Sequence, residues 1–309
     1  MTQPQSKPIS WSRSFKRYKV RYLMLVPALL CTIIFVFGPV WGMSIAFFEY
    51  NPGLGLLKSP FVGFKYFQRF FTTSNFGLIL RNSFMISFLN IVFNTIFPIS
   101  FAALLNELVS MRFKKTVQTI SYLPHFISYI VVANIATTML APSGVAMSTL
   151  VKLGILDRPV LIMSQPKTFW VLVASLNIWK EMGWSAIIYI SAIAGIDPQL
   201  YEAAMVDGAG RFRRIWHITL TGIRPTIIVL LIMAMPDLMN AGFDPSFLLG
   251  NAMVSDYSEV LETFVYELGL KQGQYSMATA VGICQMVLSI VLITSANAFA
   301  RRVSDYSIY

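Results

Sequence analysis

Charge is what this sequence has least of. Only 12% of its 309 residues are Asp, Glu, Lys or Arg, while 56% are hydrophobic. A soluble domain carries about 25% charge, so a water-soluble globule is excluded. Cysteine is nearly absent: Cys31 and Cys284 both fall inside apolar runs, which argues against a disulfide framework and against a thiolate zinc site. The two histidines, His125 and His217, are far apart with no metal-ligand spacing around either. Both read as packing residues, and no metal is expected. Missing too are the patterns that carry chemistry. There is no His-Glu-x-x-His, no serine elbow and no cofactor fingerprint. There is no Gly-x4-Gly-Lys-Ser/Thr either, so the chain is expected to be no enzyme and to hydrolyse no ATP through a P-loop of its own.

What is present is apolar sequence in long blocks. A hydrocarbon core of ~30 Å needs about 20 apolar residues per helix. Runs of that kind fall at about residues 22–48, 79–105, 117–140, 168–196, 224–243 and 276–300. None alternates in the manner of a barrel strand. The expectation is an all-α integral membrane protein with six transmembrane helices. The net charge of +10 would suit nucleic acid, but the basic residues gather in short segments between apolar runs and form no stripe. Lipid is the expected surrounding, and no nucleic acid is expected. Residues 1–21 read as a basic tail, with Lys7, Arg13, Lys16, Arg17, Lys19 and Arg21, ahead of a transmembrane domain at 22–309. The run that follows the tail exceeds a signal-peptide core of ~7–15 residues, so it reads as a retained first span.

Lys and Arg in the connections set the orientation. The tail, the 106–116 and 197–224 segments and the C-terminus hold fifteen of them, the opposite side eight, and Lys180 lies within a span. Both termini are therefore expected in the cytoplasm. The segments at about 49–78, 141–167 and 244–275 face outward. The last carries Asp244, Asp256, Glu259, Glu262 and Glu267 against Lys271, either as a solvated face or as a docking surface for an extracytoplasmic partner.

One polar stretch interrupts the greasy pattern: "EAAMVDGAGRFRRIWHI", residues 202–218. Asp197 followed by Pro198 is a helix start, with an acceptor at the N-cap and proline at the first helical position. A short helix then passes through Glu202, Ala203 and Ala204. Gly208 and Gly210 are natural stops. A second short helix begins near Arg211, with Phe212, Ile215 and Trp216 on one face and Arg213, Arg214 and His217 pointing elsewhere. Pro225 opens the next span. The result is a helix–turn–helix elbow. Its alanines admit close approach by another protein, and Glu202 and Asp207 offer charges.

Polar groups also occur inside the spans, where a charge costs on the order of 2.5–3.5 kcal/mol on insertion scales. The fourth run holds Asn177, Lys180 and Glu181; the last two point about 100° apart on a helix and need not pair. The fifth holds Asp237 and Asn240 on one face at i, i+3, with Asp244 a turn beyond and Pro236 loosening the backbone. These groups read as the lining of a translocation path, with Trp179, Trp184 or Tyr189 supplying aromatic faces, or as hydrogen bonds that hold the bundle together; Lys180 and Glu181 suit the second role. Pro98, Pro124 and Gly42 read as bending or packing residues, and Gly183 and Gly282 as sites of close helix contact.

The stretch "EAAMVDGAGRFRRIWHITL" resembles the EAA loop of ABC-importer permeases: Glu-Ala-Ala, three residues, Gly, then Ile and Leu-Pro. Glu202, Ala203, Ala204, Asp207, Gly208, Ala209, Ile218 and Leu220 match the carbohydrate-importer version. Thr221 departs from it, standing where the family usually has proline. "IWKEMGWSAIIYISAIAGIDPQLYEAAMVDGA" and "VLETFVYELGLKQGQYSMATAVGI" are similar to carbohydrate permeases of the maltose-transporter type, within the subgroup of LplB-like permeases and the alginate importer's permease. The resemblance spans most of residues 20–300. It implies a type I importer permease fold in the bacterial inner membrane, a second permease as heterodimer partner, and an external solute-binding protein. It also implies an ATPase dimer that carries ATP and Mg and grips the 197–224 loop, so this chain needs no cofactor of its own. Glu202, Ala203, Ala204, Asp207, Gly208, Ala209, Phe212, Ile215 and Trp216 would then be the coupling residues, and the cargo would be a carbohydrate, with an acidic one such as alginate within the subgroup's range. The competing class is an ATP-independent secondary transporter, which would show paired internal repeats; none stands out.

Overall fold

The computed structural model describes residues 11–303; the part of the basic tail before residue 11, Lys7 included, lies outside the described residues. Those residues build helices, with one isolated antiparallel bridge, Phe48 to Phe61, among them. In lipid, where backbone polar groups find no water, helices satisfy their own N–H and C=O groups.

The first long helix is α1, Tyr18–Phe47. Its most apolar stretch is wholly unburied by the rest of the chain, with Leu23, Phe35 and Trp41 exposed. A short helix α2, Lys65–Phe71, leads into α3, Phe76–Asn106. Then come α4, Met111–Phe126, and α5, Tyr129–Met139, which meet at 99°. The small α6, Val145–Lys152, precedes α7, Phe169–Ala194. The polar stretch folds as α8, Pro198–Val206, and α9, Arg211–Gly222; α10, Arg224–Met239, is set at 60° to α9. Outer helices α11, Phe243–Leu249, α12, Ser255–Ser258, and α13, Leu261–Tyr266, return the chain to α14, Tyr275–Val303.

Three of the expected spans are single helices long and apolar enough to cross a membrane: α1, α3 and α14. The third and fifth runs are not straight. The third breaks between Phe126 and Tyr129, and the fifth departs from α-helical geometry at Met235–Met239. If each bent pair is one span, five qualify. The fourth run forms the 26-residue α7, about 39 Å long at 1.5 Å per residue, yet the amide and charges of Asn177, Lys180 and Glu181 keep it out of the apolar class.

The centre of the bundle is the pair α3 and α7, which pack along each other. Between helices in lipid there is little hydrophobic drive, so close approach of small residues does the work. Ala102, Ala103, Ala174 and Ala186 are buried on these helices. Gly183 is the tightest point: a Cβ there would meet the Ser121 carbonyl oxygen at 2.0 Å, so α4 lies directly on α7. The same expectation for Gly282 does not hold, because nothing lies within 4 Å of where its Cβ would be. Ile99, Ala102, Tyr189, Ile193 and Ile223 form a core beside the polar elbow. At the other end, Ile86, Phe169, Val173, Leu249 and Val260 tie the outer helices to α3 and α7.

Candidate functional site

The elbow and the bundle interior are built by different local rules. In the elbow, the Asp197 carboxylate accepts the Gln199 N–H at 2.9 Å, and Pro198 occupies the first turn. At the other end of α8, Gly208 adopts φ +75°. Gly208 N–H donates to Met205 C=O at 3.1 Å and Ala209 N–H to Ala204 C=O at 2.8 Å, the paired bonds of a Schellman stop. Gly210 differs from expectation: it is the extended N-cap of α9, at φ −66°. Tyr201 and Thr219 share a hydroxyl hydrogen bond of 3.0 Å, which fixes the angle between α8 and α9.

Glu202, Ala203, Asp207 and Gly208 are exposed, Ala204 and Ala209 partly so. Phe212 and Trp216 project outward, at 84% and 67% exposure. Ile215 does not join them. Residues Ile215–Thr219 wind as a π-helix, which changes the angular step, and Ile215 turns partly inward. Arg214 also turns inward, where its guanidinium donates to Glu107 at the end of α3 at 2.8 Å. Exposed Thr221 sits in the last turn of α9, and the reorientation into α10 follows at Ile223 and Pro225 without a proline at 221.

Within the bundle lies a cavity of about 940 Å³. α7 contributes Asn177, Glu181, Trp184 and Tyr189, and the end of the fifth run contributes Asp237 and Asn240, with Asp244 just beyond it. Asp237 and Asn240 meet there, although not on one α-helical face: the helix tightens to 3₁₀ at Met235 and ends before Asn240. Asp244 belongs to the next helix, α11. The break leaves carbonyls that other side chains satisfy, as membrane interiors demand. Gln285 donates to Met239 C=O at 2.6 Å and Ser289 to Pro236 C=O at 3.0 Å. Trp179 and Lys180 lie off the lining.

Lys180 and Glu181, which as helix neighbours need not pair, do pair at 2.8 Å. The reason is the broken third run. Lys180 Nζ also donates to the His125 carbonyl at 2.7 Å, and Glu181 holds the His125 ring at 2.7 Å. The His125 ring stacks on Trp184, 4.3 Å between centroids. His125 reads from sequence as a packing residue, and the adjacent Pro124 permits a bend there without announcing these contacts. Ser87, Asn90, Asn94 and Tyr129 also line the cavity and were missed, because a lone serine or asparagine in an apolar run carries no spacing signal.

Amides, hydroxyls, carboxylates and aromatic faces line the cavity, and among the described residues no Lys or Arg lines it. No cluster able to hold a metal occurs among the described residues. Such a lining offers hydrogen bonds and ring stacking to a polar solute, inside a scaffold that the membrane requires to be apolar, while the exposed face of the elbow presents a surface to something outside the bundle. This is the anatomy of a transport protein.

Comparison with known proteins narrows the class. The family described as "Binding-protein-dependent transport system inner membrane component" matches residues 94–305. The chain is 40% identical to Protein LplB of Bacillus subtilis (strain 168), over 98% of this chain and 95% of that one. It is 41% identical to the polygalacturonan/rhamnogalacturonan transport system permease protein YteP of the same organism, over 94% and 90%. A solved bacterial alginate ABC transporter, in complex with an alginate pentasaccharide-bound periplasmic protein, holds a chain that superposes with a TM-score of 0.87 at 37% identity, over 96% of this chain and 99% of that one. The chain belongs to this family, as a permease of the carbohydrate ABC-importer group and a component of the inner membrane. Family members are transport permeases and not enzymes.

Proposed function

We propose that this chain forms half of the translocation path of an importer for acidic oligosaccharides, with a second permease supplying the other half. Its six runs each cross the membrane, with both termini and the 197–224 elbow on the cytoplasmic side. An ATPase dimer beneath holds ATP and Mg and grips the elbow through Ala203, Ala204, Phe212 and Trp216, with Glu202 and Asp207 as flanking charges. An exposed ion pair contributes only about 0.2–1 kcal/mol, so the apolar contacts supply most of the docking. A binding protein delivers the sugar to the outward segments.

The observation that carries the reading of a sugar path is the cavity. Its polar lining includes Asn177, Glu181, Asp237, Asn240 and Asp244 with Trp184 and Tyr189 as aromatic faces. The acidic class of cargo is supported by the relatives: YteP is named for polygalacturonan, and the superposed structure holds alginate. The test is ATPase stimulation of the reconstituted complex, loaded with its binding protein and challenged with alginate pentasaccharide, a polygalacturonan oligomer or a neutral malto-oligosaccharide. Selective stimulation by the uronate sugars is expected. Stimulation by the neutral sugar alone would reject the acidic cargo, and binding-protein-independent uptake without ATP would reject the importer.

A further inference from the structure

We infer that α3 supplies a second sugar-recognising wall, made by Ser87 and Asn94 with Tyr129 of α5, which reads substrate hydroxyls. The inference rests on the reading of the cavity as an oligosaccharide path. Ser87, Asn90 and Asn94 stand at i, i+3 and i+7 on α3, so they form one stripe about two turns long. All three line the cavity together with Tyr129. Asn90 is already engaged, accepting from Asn177 at 3.0 Å. The Ser87 hydroxyl, the Asn94 side-chain oxygen and the Tyr129 hydroxyl are instead buried without a hydrogen-bond partner in the chain, and Ser87 is 1% exposed.

Buried polar groups are otherwise hydrogen-bonded almost without exception. Three unpartnered ones on a single cavity wall mark where a ligand's own donors and acceptors complete the set. Their chemistry defines the partner. The Asn94 oxygen accepts from a sugar O–H, and the Ser87 and Tyr129 hydroxyls donate or accept as the sugar demands. None is a cation, so this wall offers a carboxylate no ion pair. It reads the hydroxyls that acidic and neutral sugars share and distinguishes them by position, because a site built for a hydroxyl rejects an analogue that lacks it.

The test is equilibrium binding of radiolabelled alginate pentasaccharide, and of a preparation with its ring hydroxyls partly O-methylated, to the vanadate-trapped whole importer. Ser87→Ala and Asn94→Leu are each expected to weaken pentasaccharide binding about five- to tenfold, the worth of one hydrogen bond. Each is also expected to narrow the preference for the unmethylated sugar. Ser100→Ala serves as control: Ser100 is on the same helix but exposed, with its hydroxyl bonded back to Ile96 C=O at 2.7 Å, and its affinity stays at the wild-type value. Wild-type affinity and preference in both wall variants overturn the wall alone, as does equal weakening in the Ser100 control. Failure of the wild-type importer to bind any oligosaccharide overturns the reading of the cavity itself, and the wall with it.

Discussion

Gly183 and Gly282 look alike in the sequence, each a lone glycine in an apolar helix. They differ by what stands opposite. Gly183→Ala sets a Cβ 2.0 Å from the Ser121 backbone oxygen, and backbone cannot yield as a side-chain end can. We predict a loss of about 1–3 kcal/mol, the usual cost of overpacking, read as a lowered melting temperature of the purified complex. Gly282→Ala meets nothing and is expected to melt as wild type. Gly208 is a third case, with open space around it but φ at +75°, so strain and not collision decides. Asparagine tolerates that conformation better than a β-branched residue. Gly208→Val is therefore expected to abolish substrate-stimulated ATP hydrolysis in a bundle that still folds, and Gly208→Asn to retain a measurable part of it. Local backbone demands of this kind were legible in the residues, as Asp197, Pro198 and Gly208 all attest. Contacts between distant segments were not: nothing in the sequence around His125 announces that Glu181 and Lys180 will close on it.

Between elements, the elbow is not held by its own turn alone. Arg214 of α9 reaches Glu107 at the end of α3, and both side chains are largely shielded. Removing one partner of a shielded pair strands the other, at about 3–5 kcal/mol. Glu107→Ala is expected to lower transport-coupled ATPase activity at least tenfold and to destabilise the elbow towards proteolysis. The exchanged pair, Glu107→Arg with Arg214→Glu, should recover part of both; no recovery would mean that packing, and not charge, makes the joint. Among the outer helices, burial pushes the Glu262 carboxyl above its ordinary value of 4.5, partly opposed by the hydrogen bond from Gln285. The folded state then holds this proton to higher pH than the unfolded chain does. Its contribution to stability is complete below pH 4.5 and is lost as pH rises through the elevated folded value. Glu262→Gln should flatten that part of the melting-temperature profile. The six apolar runs were legible because length and hydropathy are local. The breaks at Phe126–Tyr129 and Met235–Met239 were not, although Pro124 and Pro236 stand beside them, since proline permits a bend without dictating one.

At the scale of the whole molecule, the orientation is open to direct measurement. In a background with Cys31→Ser and Cys284→Ser, single cysteines at Val206 and Met253, 88% and 69% exposed, are expected to react with an impermeant maleimide from opposite sides of the membrane. Val206→Cys should label only in inverted vesicles and Met253→Cys only in intact cells. Labelling of both from one side would reject the six-crossing arrangement. The mutual dependence of α4 and α7 has a consequence for biogenesis. Where α4 gives out, the His125 carbonyl is capped by Lys180, and the lysine's charge is matched by its neighbour Glu181. Left alone in hydrocarbon, the first segment would show a bare acceptor and the second an ion pair with an ammonium donor unused. Neither is a finished product when it emerges from the ribosome. The earlier segment is therefore expected to cross-link to the insertion machinery until the later one has been made, so that the pair enters the bilayer as one unit.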